Sequence, residues 1–148
     1  GGPQAGVIAG RRDLVERCAA HPLMRALRPG ALTLTALQDV LLAYLRRDVT
    51  TAITFWRMIA QPVDVLEQRA RALGIGTPAA LESLPGAGSL PGVTMPSYGV
   101  TMVGDHTATL RRFRVPVIAR VREQITTLDL RTVDPADDVL VAEALRGC

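Results

Sequence analysis

The stretch TLTALQDVLLAYLRRDVTTAITFWRMIA, residues 33–60, decides the fold class expected of this chain. Its apolar side chains recur at helical spacing from Leu37 to Ile59, and Thr33 or Thr35 is a suitable N-cap. Threonines near its middle lower the helical propensity without breaking the pattern. We therefore predict one helix over residues 33–60, the longest of the protein.

Helical patterns continue on both sides of this stretch, each with a start or a stop signal. Pro22 ends the first helix, Gly74 supplies a C-terminal cap to the third, and Thr77-Pro78 and Asp134-Pro135 start two later ones. Strand signals are confined to a few residues around Val100. The predicted helices cover residues 7–20, 33–60, 63–73, 77–84, 105–128 and 135–146.

Composition agrees with helices packed on helices. Apolar residues make up 48% of the 148 residues but aromatic residues only 3%, so aliphatic side chains must fill the core. Strands would favour more aromatic residues. We therefore expect an all-α fold, a single-domain bundle of about five or six helices over residues 1–148, with one long loop over residues 85–99 that is rich in Gly and Pro. A loop of that length is often functional.

The charged residues and cysteines argue against several classes of protein. All 17 basic residues are arginine, which suggests a GC-rich, actinobacterial coding sequence, and they are interspersed with 14 acids and few aromatic residues, which disfavours nucleic acid as a partner. Cys18 and Cys148 lack metal-ligand spacing and read as reduced thiols. The longest uncharged run, residues 83–104, contains three prolines and cannot be a membrane helix, and the start lacks the features of a signal peptide. We expect a cytoplasmic protein.

Gly104-Asp105-His106-Thr107 is the main candidate for a functional site. It places an acid and an imidazole where a helix begins, directly after the Gly/Pro-rich segment. Asp105 is either an N-cap or a polar group facing a pocket. The candidate catalytic residues are Tyr98, Asp105 and His106, which would orient a small apolar ligand beneath the loop.

Motifs for zinc, di-iron, nucleophilic hydrolase and phosphate-loop chemistry are missing from the sequence. Haem binding requires less: one imidazole ligand, an apolar slot, a close backbone approach and cations near the propionates. The candidate cofactor-binding residues are His21, Gly104 and Arg17, with His21 as the metal ligand.

Two runs carry a resemblance to a known family. LVERCAAH, residues 14–21, resembles the start of haem oxygenases, in which a helix carries the proximal histidine, and MVGDHT, residues 102–107, resembles the opening of their distal helix. The resemblance implies haem as cofactor, His21 as its axial ligand and Asp105 as the residue that positions a distal water. His21-Pro22-Leu23 is equally similar to thiaminase-like and quinone-biosynthesis members of the same superfamily.

Two functions are therefore expected from the sequence. The first is a small helical protein that binds haem or an apolar small molecule between the first helix and the helix at Gly104, as a haem-oxygenase-like or biosynthetic enzyme. The alternative is a non-catalytic helical module that uses the apolar faces around Trp56 and Phe113 to form a homodimer or to bind a partner protein. No membrane is expected as a partner.

Overall fold

The computed structural model describes residues 2–86 and 91–148. The chain divides into two compact units, Gly1–Arg57 and Met58–Cys148, which are called unit 1 and unit 2 below. Within the described residues, no helix combines the length and the apolar character needed to cross a bilayer. That residues 1–148 form a single domain stays a prediction.

Unit 1 is helical. Its helices are α1 (Arg12–Ala20), α2 (Leu23–Ala26), α3 (Ala31–Arg46), α4 (Val49–Ala52) and the first part of α5 (Thr54–Ile59). The indole Nε1 of Trp56 donates a hydrogen bond to the Tyr44 hydroxyl at 2.7 Å. Among the described residues of this unit only Ala43 is buried, whereas Leu32 and Leu45 remain 88% and 79% exposed. Unit 1 therefore has almost no core of its own.

The single helix predicted over residues 33–60 is divided into α3, α4 and α5. α3 ends where Arg47 adopts a left-handed conformation with φ 59°, and α4 ends where Ile53 becomes extended. Between them the run from Val49 to Thr54 is rich in β-branched residues, which lose side-chain freedom in a helix. The helical spacing of the apolar residues continues across both breaks, so this spacing does not reveal where the helices end.

Unit 2 is built on a four-stranded antiparallel sheet. Its strands are β1 (Thr77–Ser83), β2 (Met95–Val103), β3 (Arg120–Arg122) and β4 (Ile125–Asp129), in the spatial order β1-β2-β4-β3. Its helices are α6 (Val63–Leu73), α7 (Thr107–Arg112) and α8 (Asp138–Arg146), and Leu130–Thr132 and Pro135–Asp137 form short 3-10 turns.

The core of unit 2 lies between one face of the sheet and helices α6 and α8. Val100 of β2 opposes Leu128 of β4, and both pack against α6 through the fully buried Leu66. Because side chains alternate along a strand, the next residues point to the other face. That face carries the small or polar residues Ser97 and Asp129.

The predicted all-α fold class is wrong, since the chain is a mixture of helices and an antiparallel sheet. Residues 77–84 carry helix-start signals, yet β1 pairs with β2 along seven consecutive residue positions. Pairing with β2 gives the backbone of β1 a ladder of hydrogen bonds in place of those of a helix, and tertiary context outweighs weak local propensity. β2 also occupies residues 95–99 of the predicted loop, whose residues 87–90 lie outside the described part of the chain.

The prediction of one helix over residues 105–128 is wrong: the only helix in this range is the short α7, and two strands follow it. The chain leaves the helix at Phe113, and Pro116 cannot continue the helical hydrogen bonds. β3 and β4 are then joined by Glu123 and Gln124, whose φ angles of 51° and 59° form a tight two-residue hairpin turn. Neither residue is typical of such a turn, so the sequence carries little signal for it.

Candidate anion-binding site

Arg25 and Arg28 line an open cavity at the start of α3. The cavity has a volume of about 510 Å³, and its other lining residues are Pro29, Gly30, Ala31 and Leu34. Arg25 lies in the short helix α2, and Arg28 follows the end of that helix. The extended conformation of Gly30, with φ −70° and ψ 163°, then turns the chain into α3.

The electrostatics of this cavity favour an anion. α3 is a helix of 16 residues whose first turn has neither a side-chain cap nor an acidic residue. The positive end of its dipole is therefore not compensated by a nearby side chain of that turn, and its first backbone N–H groups can donate to an anion. Arg25 and Arg28 are both exposed, and within the described residues neither guanidinium has a partner. Two planar guanidinium groups beside a helix N-terminus are well suited to bind an oxyanion such as phosphate.

Sequence reasoning missed these two arginines, although a signal was present. Between Glu16 and Asp39 the chain has no acidic residue, while Arg17, Arg25 and Arg28 all fall in that interval. A local excess of one charge is a recognised sign of an interaction surface. Because arginines and acidic residues alternate over the chain as a whole, this local excess of positive charge was overlooked.

His21 and Arg17 lie in the same unit but line a different cavity. This cavity has a volume of about 630 Å³ and is mostly apolar, with Leu14, Cys18 and Leu27 among its lining residues. His21 follows the last residue of α1, and its Nδ1 accepts a hydrogen bond from the backbone N–H of Leu23 at 3.2 Å. In the described part of the chain, no group of three His, Cys, Asp or Glu residues could hold a metal ion.

Gly104, Asp105 and His106 form a tight turn between β2 and α7. Gly104 has φ 102°, and the Thr126 hydroxyl donates to its carbonyl at 2.6 Å. The His106 ring lies over Gly104, with Nε2 2.8 Å from the carbonyl oxygen of Val103. The turn is thus closed by local hydrogen bonds between its own members and β4.

Tyr98 is not brought to this turn. It lies on β2 and packs against the core beneath α6. Val103 lies five positions further along the extended strand, a distance of roughly 16 Å. The three residues predicted to be catalytic therefore do not converge on one pocket.

Asp105 forms a local turn directly before α7, whose N-cap residue is His106: its Oδ1 accepts hydrogen bonds from the Thr107 hydroxyl at 2.6 Å and from the Thr107 backbone N–H at 3.0 Å. These bonds hold the pKa of Asp105 below its ordinary value of 3.8. A carboxylate whose pKa is lowered in the folded state adds stability at pH values above 3.8, and this stability is lost as the pH falls through the folded pKa.

The variant Asp105→Asn tests the role of the charge in this turn, since asparagine keeps an acceptor oxygen for Thr107 but carries no charge. We expect a small loss of stability relative to the wild type at pH 7 that shrinks as the pH is lowered towards 3. Urea denaturation at pH 7, 5 and 3 measures the difference. A difference that is constant across these pH values would contradict the role of the charge.

A second polar cluster lies on the sheet face away from the helices. Asp129 is 8% exposed and accepts hydrogen bonds from the hydroxyl groups of Ser83 and Ser97, the latter at 2.6 Å. Arg131 is 3% exposed and donates to four carbonyl oxygens, which belong to Met58, Ile59, Gln61 and Pro96, at 2.7 to 3.1 Å. Burial lowers the pKa of Arg131, while Asp129 acts in the opposite direction.

This cluster holds unit 2 together rather than forming a second anion site. Both oxygens of Asp129 already accept hydrogen bonds, and the guanidinium of Arg131 joins the chain after α5 to the start of β2. Both terminal nitrogens of Arg131 donate to main-chain carbonyls, so these donors are already used within the fold, while its Nε is buried without a partner among the described residues.

Comparison with known proteins gives one consistent result. Residues 1–134 match the model of the family described as "SelA: L-seryl-tRNA selenium transferase". The L-seryl-tRNA(Sec) selenium transferase of Moorella thermoacetica is 39% identical over 98% of this chain, and that of Hyphomonas neptunium is 38% identical over 99%. In both cases the alignment covers 35% of the relative, so the chain spans about a third of the length of the curated relatives it matches.

These matches overturn the resemblance to haem oxygenases and to their thiaminase-like and quinone-biosynthesis relatives, none of which is indicated. The expected function, binding of haem or an apolar molecule by a helical protein, is wrong for the same reason, and the alternative of a non-catalytic helical module is not supported either. Runs such as LVERCAAH combine helix-forming residues that occur in many unrelated helices. By the extent of the family match, this chain belongs to the L-seryl-tRNA selenium transferases.

Proposed function

We propose that the chain forms part of an enzyme that transfers selenium to L-seryl-tRNA(Sec), the activity for which its relatives are named. Since it spans about a third of those relatives, it supplies part of the machinery for such a reaction. The observation that carries the proposal is the pair of unpartnered arginines, Arg25 and Arg28, at the uncapped start of α3.

The role proposed for this cavity is to hold an oxyanion of the reaction. A tRNA carries a phosphate at every nucleotide, so an enzyme that acts on its aminoacyl group must hold negatively charged groups close to the reacting atoms. Bidentate guanidinium contacts would fix both the position and the orientation of such a group. An anionic selenium donor would present the same chemistry.

This proposal replaces the expectation that nucleic acid is disfavoured as a partner. The proposed function is compatible with the cytoplasmic location expected from the sequence, because aminoacyl-tRNA is consumed by ribosomes in the cytoplasm. Homodimer formation through apolar helix faces stays a prediction, with no contact that tests it.

A chimeric enzyme tests the proposal directly. In the Moorella thermoacetica relative, the segment that aligns with this chain would be replaced by the chain itself, and transfer of radioactive selenium to seryl-tRNA(Sec) would be measured. We expect the chimera to be active. A folded chimera with no transfer, beside an active parent enzyme, would contradict the proposed function.

Within the active chimera, Arg25→Gln/Arg28→Gln is expected to lower kcat/KM by at least about tenfold, since each hydrogen bond from a charged group is worth roughly 1.5–3 kcal/mol. A raised KM for seryl-tRNA would assign the cavity to an RNA phosphate, and a raised KM for the selenium donor would assign it to that donor. The matched control is Arg12→Gln/Arg46→Gln, which removes the same charge from exposed positions of unit 1. Equal effects of the two double variants would contradict the site.

A further inference from the structure

We propose that the exposed arginines of residues 106–122, called the arginine segment below, form a second contact surface for the sugar-phosphate backbone of the tRNA. The inference rests on the proposed function, which supplies the RNA, but it concerns unit 2 instead of the cavity in unit 1. It assigns a role to a part of the chain that lies outside the cavity in unit 1 and touches the buried cluster only where Arg120 lies 3.9 Å from Asp129.

The first observation is the charge of the segment. Between Asp105 and Glu123 the chain contains five arginines and no acidic residue. All five are exposed, namely Arg111, Arg112, Arg114, Arg120 and Arg122. A local charge of this density attracts a polyanion and accelerates its association.

The second observation is that the fold makes little use of three of these five charges. The other two have acidic neighbours: Arg114 binds the Glu143 carboxylate at 2.6 Å, and Arg120 lies 3.9 Å from that of Asp129. Arg111 and Arg112 end α7, and in the described part of the chain no hydrogen bond or ion pair of either guanidinium is found. Arg122 lies 3.4 Å from the carboxylate of its neighbour Glu123, and both side chains are at least 80% exposed. Ion pairs as exposed as this contribute little to stability. Arg111, Arg112 and Arg122 are therefore free to bind a ligand.

The third observation is where the segment lies on the sheet. β3 is an edge strand, and Arg120 and Arg122, two residues apart, point to the sheet face that carries Asp129. Adjacent side chains on one face of a strand are separated by roughly 7 Å. Arg120 lies 3.9 Å from the Asp129 carboxylate but is 61% exposed, so its guanidinium and that of Arg122 can contact successive phosphates along one RNA strand.

The segment fits the RNA backbone better than the bases. Its single aromatic residue, Phe113, is half-buried, and the guanidinium of Arg114 already lies 5.6 Å from the centre of its ring. Base recognition in single strands depends on exposed aromatic platforms, which are absent from residues 106–122. Contacts through phosphates alone position an RNA without reading its sequence.

Each arginine also has a purely structural explanation. Basic residues at the end of α7 complement the helix dipole, and charges on β3 discourage association through the sheet edge. Both explanations predict an effect on stability or aggregation and none on RNA affinity. Binding measurements therefore separate them from the proposal.

The test uses the full chain and a tRNA(Sec) transcript, with binding measured by fluorescence anisotropy over a range of salt concentrations. The variant is Arg111→Gln/Arg112→Gln/Arg122→Gln, and the control Arg12→Gln/Arg46→Gln/Arg146→Gln removes the same charge elsewhere. Each lost phosphate contact lowers the slope of log affinity against log salt by about 0.7 to 0.9. We expect the slope to fall by about 2 units in the variant, with a roughly tenfold loss of affinity at low salt, and by less than about 1 unit in the control.

Three results would overturn the proposal: no binding of tRNA by the wild-type chain, equal slopes for the variant and the wild type, or equal losses in the variant and the control. Thermal unfolding verifies that both triple variants are folded, and the triple Arg→Lys variant at the three segment positions should restore the slope because it restores the charge. An active chimera combined with an unchanged slope would remove this inference and leave the proposed function standing. An inactive chimera would remove the proposed function itself.

Discussion

Replacing Gly99 with alanine is expected to lower the free energy of unfolding of unit 2 by at least about 3 kcal/mol, the upper range for overpacking a well-packed site. A Cβ atom at this position would overlap the carbonyl oxygen of Leu128 and lie 2.8 Å from Cδ1 of Leu81. The end of the leucine side chain can move. The carbonyl oxygen belongs to β4, next to Asp129, which pairs with Gly99, so relieving the overlap separates the two central strands.

Urea denaturation of the purified chain measures this effect. Gly147→Ala is the matched control in the same unit, because a Cβ there would meet only the carbonyl oxygen of Ala144, at an ordinary 3.5 Å. Its effect should stay within about 0.5 kcal/mol. A loss of less than about 1 kcal/mol for Gly99→Ala would show that β2 and β4 do not approach as closely as described.

Replacing Arg131 with methionine is expected to cost about 3 kcal/mol. Four carbonyl oxygens lose a charged donor, although that of Met58 still accepts from the backbone N–H of Gln61 at 3.4 Å, and each buried acceptor left unpaired costs about 1–3 kcal/mol. Removing the desolvated charge of the arginine itself recovers part of this loss, since burying a guanidinium is unfavourable. The carbonyls of Ile59, Gln61 and Pro96 all lose the arginine donor while only one buried charge is removed, so we expect a net loss of stability.

The same denaturation experiment tests Arg131→Met, with Arg122→Met as the control. Arg122 is 90% exposed and faces only its neighbour Glu123, so its replacement should change stability by less than about 0.5 kcal/mol. Arg131→Lys should fall between the two, because a single ammonium group cannot reach all four carbonyls. A methionine variant as stable as the wild type would mean that the carbonyls find other donors.

Local chemistry accounts for the ends of several helices. α6 stops where Gly74 takes φ 65°, a conformation that costs glycine little. α1 stops at His21 because Pro22 follows it, and Asp134-Pro135 opens the turn before α8. Each of these signals operates within about four residues of the chain, which is why sequence reasoning reaches them.

The candidate site was only partly within reach of the sequence. The interval between Glu16 and Asp39 already contains three arginines and no acid, but only the structure shows that Arg25 and Arg28 line one cavity at the uncapped start of α3. At Asp105 and His106 the position before a helix suggested catalysis, and the structure adds hydrogen bonds that close them into a turn. A catalytic role for these two residues stays a prediction.

The sequence by itself determined the ends of α1 and α6 and the start of the turn before α8, the predominance of helix in unit 1 and the acid-free intervals around the arginines. Only the tertiary structure decided that residues 77–83 form a strand, because a strand is stabilised by its partner, and β1 meets β2 across a segment of chain that no local signal spans. The same holds for Arg131. Its buried guanidinium is stabilised by carbonyl oxygens of residues 58–61, about seventy positions earlier in the chain, and they come within reach only when unit 2 has folded.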